Sequence, residues 1–399
     1  MSTPPQRTIL HLDLDAFFCA VEVRRNPTLR GKAFAVGGRP DQRGVVASCS
    51  YEARLFGVRS AMPMSQAVNR CPELIIVSSN FGAYGTASRE VMKHLHNLTP
   101  LVEQISIDEA FLDVTGLPNS GEVIARRLQA VINEELDLPC SFGVASNKLI
   151  AKIANNIGKA KARGGTSPNA ITVVLPGEEA AFLAPLPVEE LWGVGPKTAE
   201  SLHQLGLRTI GEVAAYPVEA LARRFGKHGA DLAKRARGVD DRPVETEHER
   251  KSISKETTFT RDVAEIETLH RTLRHLADGV GLRLRQMALQ GTTIKLKLRW
   301  ADFTTLTRQM TFPHAVDQDD EIYEAALQLF HEAWLRGRPV RLIGVGISGL
   351  EDTARQLSLF ETDDDKRGRR LQATLDELRD RFGEKSIKRG TDLDDKHRR

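Results

Sequence analysis

The chain has little that would tie it to a membrane or a secretory route. No apolar run approaches the ~20 residues of a membrane span, so no spanning helix is predicted. Met1 to Gln6 carries no basic-then-apolar pattern, so no signal peptide is expected. Cysteine is scarce: Cys19, Cys49, Cys71 and Cys140 lie far apart, without C-x-x-C spacing. This argues against zinc and disulfides and fits a reducing cytosol. Net charge is also small, at +3, so any basic footprint for nucleic acid must be local. What remains is an ordinary globular balance, 41% hydrophobic and 27% charged over 399 residues. That length accommodates roughly two to four domains, and a soluble cytoplasmic monomer is expected.

The chemistry is concentrated in two acidic apolar stretches. In Ile105-Ser106-Ile107-Asp108-Glu109-Ala110-Phe111-Leu112-Asp113, branched and aromatic residues flank adjacent carboxylates, as in a buried strand with acid at its centre. Thr8-Ile9-Leu10-His11-Leu12-Asp13-Leu14-Asp15-Ala16-Phe17-Phe18 has the same character. Buried acid is costly unless it is paired or holds a metal. Two such strands side by side would gather Asp13, Asp108 and Glu109. Oxygen-only ligands suit Mg²⁺, and that arrangement serves two-metal phosphoryl transfer. The alternative is a pair of strands whose acids face solvent. Neighbours on a regular strand point to opposite faces, so Glu109 joins Asp108 only if the backbone turns there.

Along the chain, short strands are predicted over residues 33–36 and 44–49, then a short helix over 64–70 and a longer one over 84–98. Residues 121–136 read as an amphipathic helix with Val123, Ile124, Leu128, Val131 and Ile132 on one face. A strand over 140–145 and a helix over 147–157, carrying Lys148 and Lys152, complete a mixed sheet backed by helices. Pro185-Leu186-Pro187 opens a second unit. There, Gly193-Val194-Gly195-Pro196-Lys197 precedes a helix over 198–205 and offers free backbone N–H groups to phosphate. An ordinary helix-connecting turn reads equally well. Arg223, Arg224, Lys227, Lys234, Arg235 and Arg237 follow, either a solvated face or a backbone contact to nucleic acid.

Residues 238–251 are polar and aperiodic, as in a linker. Beyond them the order is βαββαβ: strand 253–260, helix 265–289, strands 292–300 and 304–312, helix 319–334 and strand 340–347. Lys295, Lys297 and Arg299 alternate with Ile294, Leu296 and Leu298, so one sheet face is basic. It either lies along a phosphate backbone or merely solubilises the sheet. Within the polar tail, Gln356-Leu357-Ser358-Leu359-Phe360 is an apolar cluster that fits a docking peptide or a strand packing back on the body. A short helix is possible over residues 369–382.

Three stretches together resemble the signatures of the Y-family DNA polymerases, most closely the bacterial polymerase IV group. They are Asp13-Leu14-Asp15-Ala16-Phe17-Phe18-Cys19-Ala20-Val21-Glu22, Ser50-Tyr51-Glu52-Ala53-Arg54-Leu55-Phe56-Gly57-Val58 and Ser106 to Asp113. The resemblance implies an α+β, multidomain right-hand polymerase. Its palm would span 1–16 and 83–175 and its small fingers 17–82. A helical helix-hairpin-helix thumb would follow over 176–245, a linker over 246–252 and a βαββαβ little finger over 253–352. A flexible tail would run over 353–399.

By the same resemblance Asp13, Asp108 and Glu109 hold two Mg²⁺, with the Leu14 carbonyl as a further ligand. Tyr51, Arg54, Ser48 and Lys159 would grip the triphosphate. Phe18 would be a steric gate under the sugar, with Phe17 beside it, although both phenylalanines also read as core. Gly193, Val194, Gly195 and Lys197 would contact DNA, as would Lys295, Lys297 and Arg299. Gln356, Leu357, Leu359 and Phe360 would dock in the sliding clamp. The partners implied are primer-template DNA, a deoxynucleoside triphosphate and the clamp's β subunit, with no membrane. Trp192, Asn156 and Lys161-Ala162-Arg163-Gly164-Gly165 depart from the usual pattern without touching the three acids.

The leading expectation is error-prone, template-directed DNA synthesis past lesions, without a proofreading exonuclease. A non-catalytic DNA- and clamp-binding paralogue would need neither the acids nor the triphosphate residues. A palm-type nucleotidyl cyclase would explain the acids but not the hairpin, the basic sheet or the docking peptide.

Overall fold

The computed structural model describes residues 7–161, 166–247, 249–352 and 363–383. The peptide Gln356–Phe360, expected to dock in a clamp, lies outside the described residues, as do residues 162–165 of the departing loop. The chain divides into two compact units, residues 1–248 and 249–399.

The first unit is built on a five-stranded sheet in the order Val102–Gln104, Glu109–Asp113, Ile9–Leu14, Cys140–Ala145, Ile171–Val173. All neighbours run antiparallel except the last pair. Alternation along Ile9–Leu14 sends Leu10, Leu12 and Leu14 into a core shared with helices Phe81–Leu98 and Gly121–Leu136. The other face receives helix Lys148–Lys161, whose Leu149, Ile150 and Ile153 share a second core with Ile9 and Phe111. Gly143 is what lets this helix lie close: a Cβ there would stand 1.8 Å from the Ala151 carbonyl oxygen.

Gly121–Leu136 has the expected bounds, but Val123 is exposed and only Ile124, Leu128 and Ile132 of the five expected side chains are buried. The buried stripe is therefore narrower than the pattern suggested. A three-stranded sheet, Val46–Cys49, Phe34–Gly37 and Ile75–Val77, has a small core of its own around Met64 and Val58. Helices Pro196–Gln204, Ile210–Ala215, Val218–Phe225 and Lys227–Ala236 join the Lys148–Lys161 helix through Leu183, Leu191 and Leu202. The segment after Gly238, which reads as linker, is partly packed. Asp240 accepts the Leu149 amide at 3.1 Å at the start of that helix, and Val244 is buried.

The second unit is the βαββαβ order read from the sequence, folded as an antiparallel sheet Thr305–Val316, Leu289–Trp300, Val340–Asp352, Ser252–Val263. Helices Ile266–Gln286 and Asp319–Ala333 cover its apolar face through Leu273, Val280, Leu329 and Phe330. The first helix stops short of Leu289, which begins the next strand after a left-handed turn at Ala288. The tail, expected to be flexible from residue 353, forms a helix over Asp363–Phe382. Gln372 is buried and donates to Asp319 Oδ2 at 3.0 Å, and Asp376 pairs with Arg285 at 2.6 Å. No helix among the described residues is long and apolar enough to cross a membrane.

Candidate active site

Asp13 and Glu109 are register partners on adjacent antiparallel strands, so their side chains leave the same face side by side. Asp108 stands just before the Glu109–Asp113 strand, where the backbone bends. The Asp108 and Glu109 amides donate to Ser106 Oγ at 3.2 and 3.0 Å, and the Ser106 hydroxyl donates to Asp108 Oδ1 at 2.5 Å. The Leu14 amide donates to the Asp108 carbonyl at 3.0 Å, which brings the end of the first strand against the bend. The Ser106 turn interrupts regular alternation at Asp108, which lines one cavity with Asp13; Glu109 is not among the residues lining that cavity.

Both strand carboxylates are neutralised by lysines of one helix. Lys159 Nζ lies 2.5 Å from Asp13 and 3.2 Å from Asp15, and Lys152 Nζ lies 2.7 Å from Glu109. Residues seven apart on a helix share a face, which is why one helix serves both. Burial pushes the Asp13 carboxyl above its ordinary range, with Lys159 opposing and Glu109 adding to the rise. Burial works against the Lys159 ammonium too, but Asp13 and Asp15 outweigh it and raise its pKa. Buried His11 is held neutral by desolvation, with Lys152 and Lys159 adding to the effect.

A cavity of about 210 Å³ collects Asp13, Leu14, Phe17, Phe18, Ser48, Arg54, Asp108 and Lys159, with Ala16, Ala47 and Ser60. Ala16 turns the chain from strand to helix at φ +45°. The Phe18 ring stacks on Tyr84 at 4.3 Å, and Tyr84 is fixed by donating to Glu22 at 2.7 Å. Phe17 is 2% exposed and belongs to the core. The Arg54 guanidinium lies 4.5 Å over the Tyr51 ring. The Tyr51 hydroxyl and Arg54 Nε are buried without a protein hydrogen-bond partner, a condition that a polar ligand would relieve. Tyr51 itself does not line this cavity but a neighbouring one with Asp15 and Asn169.

Residues that sequence reasoning passed over support the centre. Asp15 and Ser106 were visible only as members of motifs, Lys152 only as a cation on a helix, and Tyr84 only as the start of one. Lys148, on the same helix, is turned away into a buried pair with Glu103 at 2.7 Å. The groups expected to hold metal, three carboxylates and a backbone carbonyl, offer only oxygen, a chemistry that would suit Mg²⁺. Among the described residues, no three acids, histidines or cysteines converge as a metal cluster, and lysines hold two of the three carboxylates.

Elsewhere, Gly193 adopts φ +99° and Gly195 caps helix Pro196–Gln204 without a side-chain acceptor, with Lys197 exposed. Arg235 is spent on the hairpin, donating to the Trp192 carbonyl at 3.3 Å, and is half-buried. In the second unit Lys295, Lys297 and Arg299 stand on the face opposite buried Ile294, Leu296 and Leu298. Lys297 pairs there with Glu256 at 2.8 Å.

Comparison with known proteins agrees with this architecture. The chain matches the impB/mucB/samB family over residues 12–156, the IMS family HHH motif over 176–207 and the impB/mucB/samB family C-terminal domain over 250–359. It is 40% identical to a DNA polymerase IV of Desulfatibacillum aliphaticivorans, over 96% of each chain. A DNA polymerase IV of Listeria monocytogenes is 41% identical over 86% of this chain and 96% of its own. The structure resembles a solved Y-family DNA polymerase chimera with TM-score 0.76 and 27% identity, covering 86% of this chain and 98% of the other. The chain therefore belongs to the Y family of DNA polymerases.

Proposed function

We propose that the chain is an error-prone polymerase that copies DNA past lesions, adding deoxynucleotides to a primer 3′-hydroxyl, and that it has no proofreading exonuclease. The observation that carries this reading is the single cavity in which Asp13 and Asp108 face Phe18, Ser48, Arg54 and Lys159. Two Mg²⁺ held by Asp13, Asp108, Glu109 and the Leu14 carbonyl would supply an acidified 3′-hydroxyl and charge neutralisation on the triphosphate and leaving pyrophosphate. Arg54 and Lys159 bind phosphate oxygens, with Ser48 and Tyr51 as hydroxyl donors, and hold the α-phosphorus in line with the primer oxygen. Phe18, braced by Tyr84, packs under the sugar and excludes a 2′-hydroxyl. Ala47 and Ser48, small residues on strand Val46–Cys49, cover the nascent pair loosely, which weakens shape selection.

We assign 1–16 and 83–175 to the palm, 17–82 to the fingers, 176–245 to the thumb, 246–252 to a linker and 253–352 to the little finger. The hairpin at Gly193–Gly195 and the basic sheet face contact the DNA backbone, and the Gln356–Phe360 peptide reaches a sliding clamp. The four described cysteines are free and buried, as suits the cytoplasm, where we place the protein.

Extension of a primed template with Mg²⁺ and each deoxynucleotide offered singly, beside Asp108→Ala, tests the reading. Extension with frequent misinsertion that disappears in the variant is expected. Tight primer binding without extension would leave a non-catalytic DNA- and clamp-binding protein instead.

A further inference from the structure

We infer that Asp15 is the positioning residue that keeps Lys159 at the nucleotide cavity once a metal claims Asp13, an inference that rests on the triphosphate contact proposed for Lys159. Asp15 is fully buried and is not among the residues lining the cavity of Asp13 and Asp108. Its carboxylate accepts the Ser141 hydroxyl at 3.0 and 2.9 Å, and its Oδ2 accepts the Asn169 amide at 3.0 Å. Lys159 Nζ stands 3.2 Å from Oδ1. One ammonium is thus shared between two carboxylates, of which only Asp13 faces the cavity.

With a divalent cation bound at Asp13, the Lys159 ammonium would lose that partner and be repelled at short range. Lysine is a point charge on a flexible stem, free to swing out once its partner is lost. Asp15 is fixed by Ser141 and the Asn169 backbone, so it supplies the negative charge that retains Lys159 among Arg54 and Ser48. The metal-free pairing and the nucleotide-bound pairing then differ by one contact rather than by a relocated side chain. A purely structural Asp15 would tie strand Cys140–Ala145 to the segment at Asn169, and nothing in that task depends on Lys159.

Equilibrium binding of a deoxynucleoside triphosphate with Mg²⁺ on a dideoxy-terminated primer-template, where no bond forms, separates the two. Asp15→Asn is expected to weaken nucleotide binding about tenfold in the wild-type background, as for a lost buried charge partner. In a Lys159→Met background it should weaken binding no further. No loss from Asp15→Asn, or an equal loss in both backgrounds, overturns the inference while leaving Lys159 in its proposed contact. Unchanged affinity in Lys159→Met alone would instead sink the triphosphate contact, and the inference with it. If circular dichroism shows Asp15→Asn unfolded, Ser141→Ala, which loosens Asp15 and also removes the acceptor of the Ala170 amide, decides by its dependence on Lys159. A smaller loss that vanishes with Lys159→Met supports the inference, and no loss, or a loss that persists, overturns it.

Discussion

Two lysines set the charge state of the centre at the residue scale. Lys152 and Lys159 pair with Glu109 and Asp13, which offsets repulsion among the neighbouring carboxylates. Neither pairing is visible in the acidic motifs, because the lysines come from a helix that begins more than thirty residues after Asp113. The proposed gate is equally a matter of contact. Both rings border the cavity, but Phe18 stacks on Tyr84 and is partly exposed, whereas adjacent Phe17 is 2% exposed and belongs to the core. Sequence left both rings open as core, and helical geometry sends neighbours in different directions. Phe18→Ala should lower the preference for deoxy- over ribonucleotides by on the order of a hundredfold, measured as the ratio of single-insertion efficiencies. An unchanged ratio would remove Phe18 from the gate.

At the scale of elements, strands and helices were legible where one face is buried. Leu10, Leu12 and Leu14 alternate with His11 and Asp13, and Ile294, Leu296 and Leu298 alternate with Lys295, Lys297 and Arg299. What the period does not report is how closely two elements approach. Gly143→Ala should destabilise the first unit by ~1–3 kcal/mol, read as a shift in the urea midpoint, because its methyl would collide with Ala151 on the helix that carries both lysines. The tail helix is a second case. Its sequence is polar, but buried Gln372 and paired Asp376 bind it to Asp319 and Arg285. Burial pushes the Asp319 carboxyl up to about 6, against Arg285 and with Asp278 adding to the rise. The folded state therefore keeps this proton to higher pH than the unfolded chain, which releases it near pH ~4. Stability relative to Asp319→Asn should fall as pH rises from about 4 to about 6 and level off above, in paired urea titrations. A difference that does not vary with pH would refute the assignment.

For the whole molecule, +3 net charge hides local concentrations of positive charge. Exposed Arg223, Arg224 and Lys227 follow the hairpin in the first unit, and the basic sheet face lies in the second. DNA affinity should fall steeply as salt rises, and charge-removing substitutions at Lys295 and Arg299 should flatten the log–log slope by about one unit each. A slope unaffected by these changes would mean that the sheet face is only solvated. The run of six cations over residues 223–237 was legible as a run, but not its division of labour: Arg235 shapes the hairpin through Trp192, and Lys234 pairs with Asp241 at 2.7 Å.

By itself the sequence determined the acidic strands, the βαββαβ order and the membership of a polymerase family, because alternation and motif spacing are local properties. Only the tertiary structure decided that the bend at Ser106 leaves Asp108 lining one cavity with Asp13, while Glu109 pairs with Lys152 and is not among that cavity's lining residues. It also decided that Lys152 and Lys159 meet the acids, and that buried Asp15 shares the second of these lysines. Those outcomes depend on which elements pack together and how closely, and the charge balance of a buried site is set by neighbours in space, not along the chain.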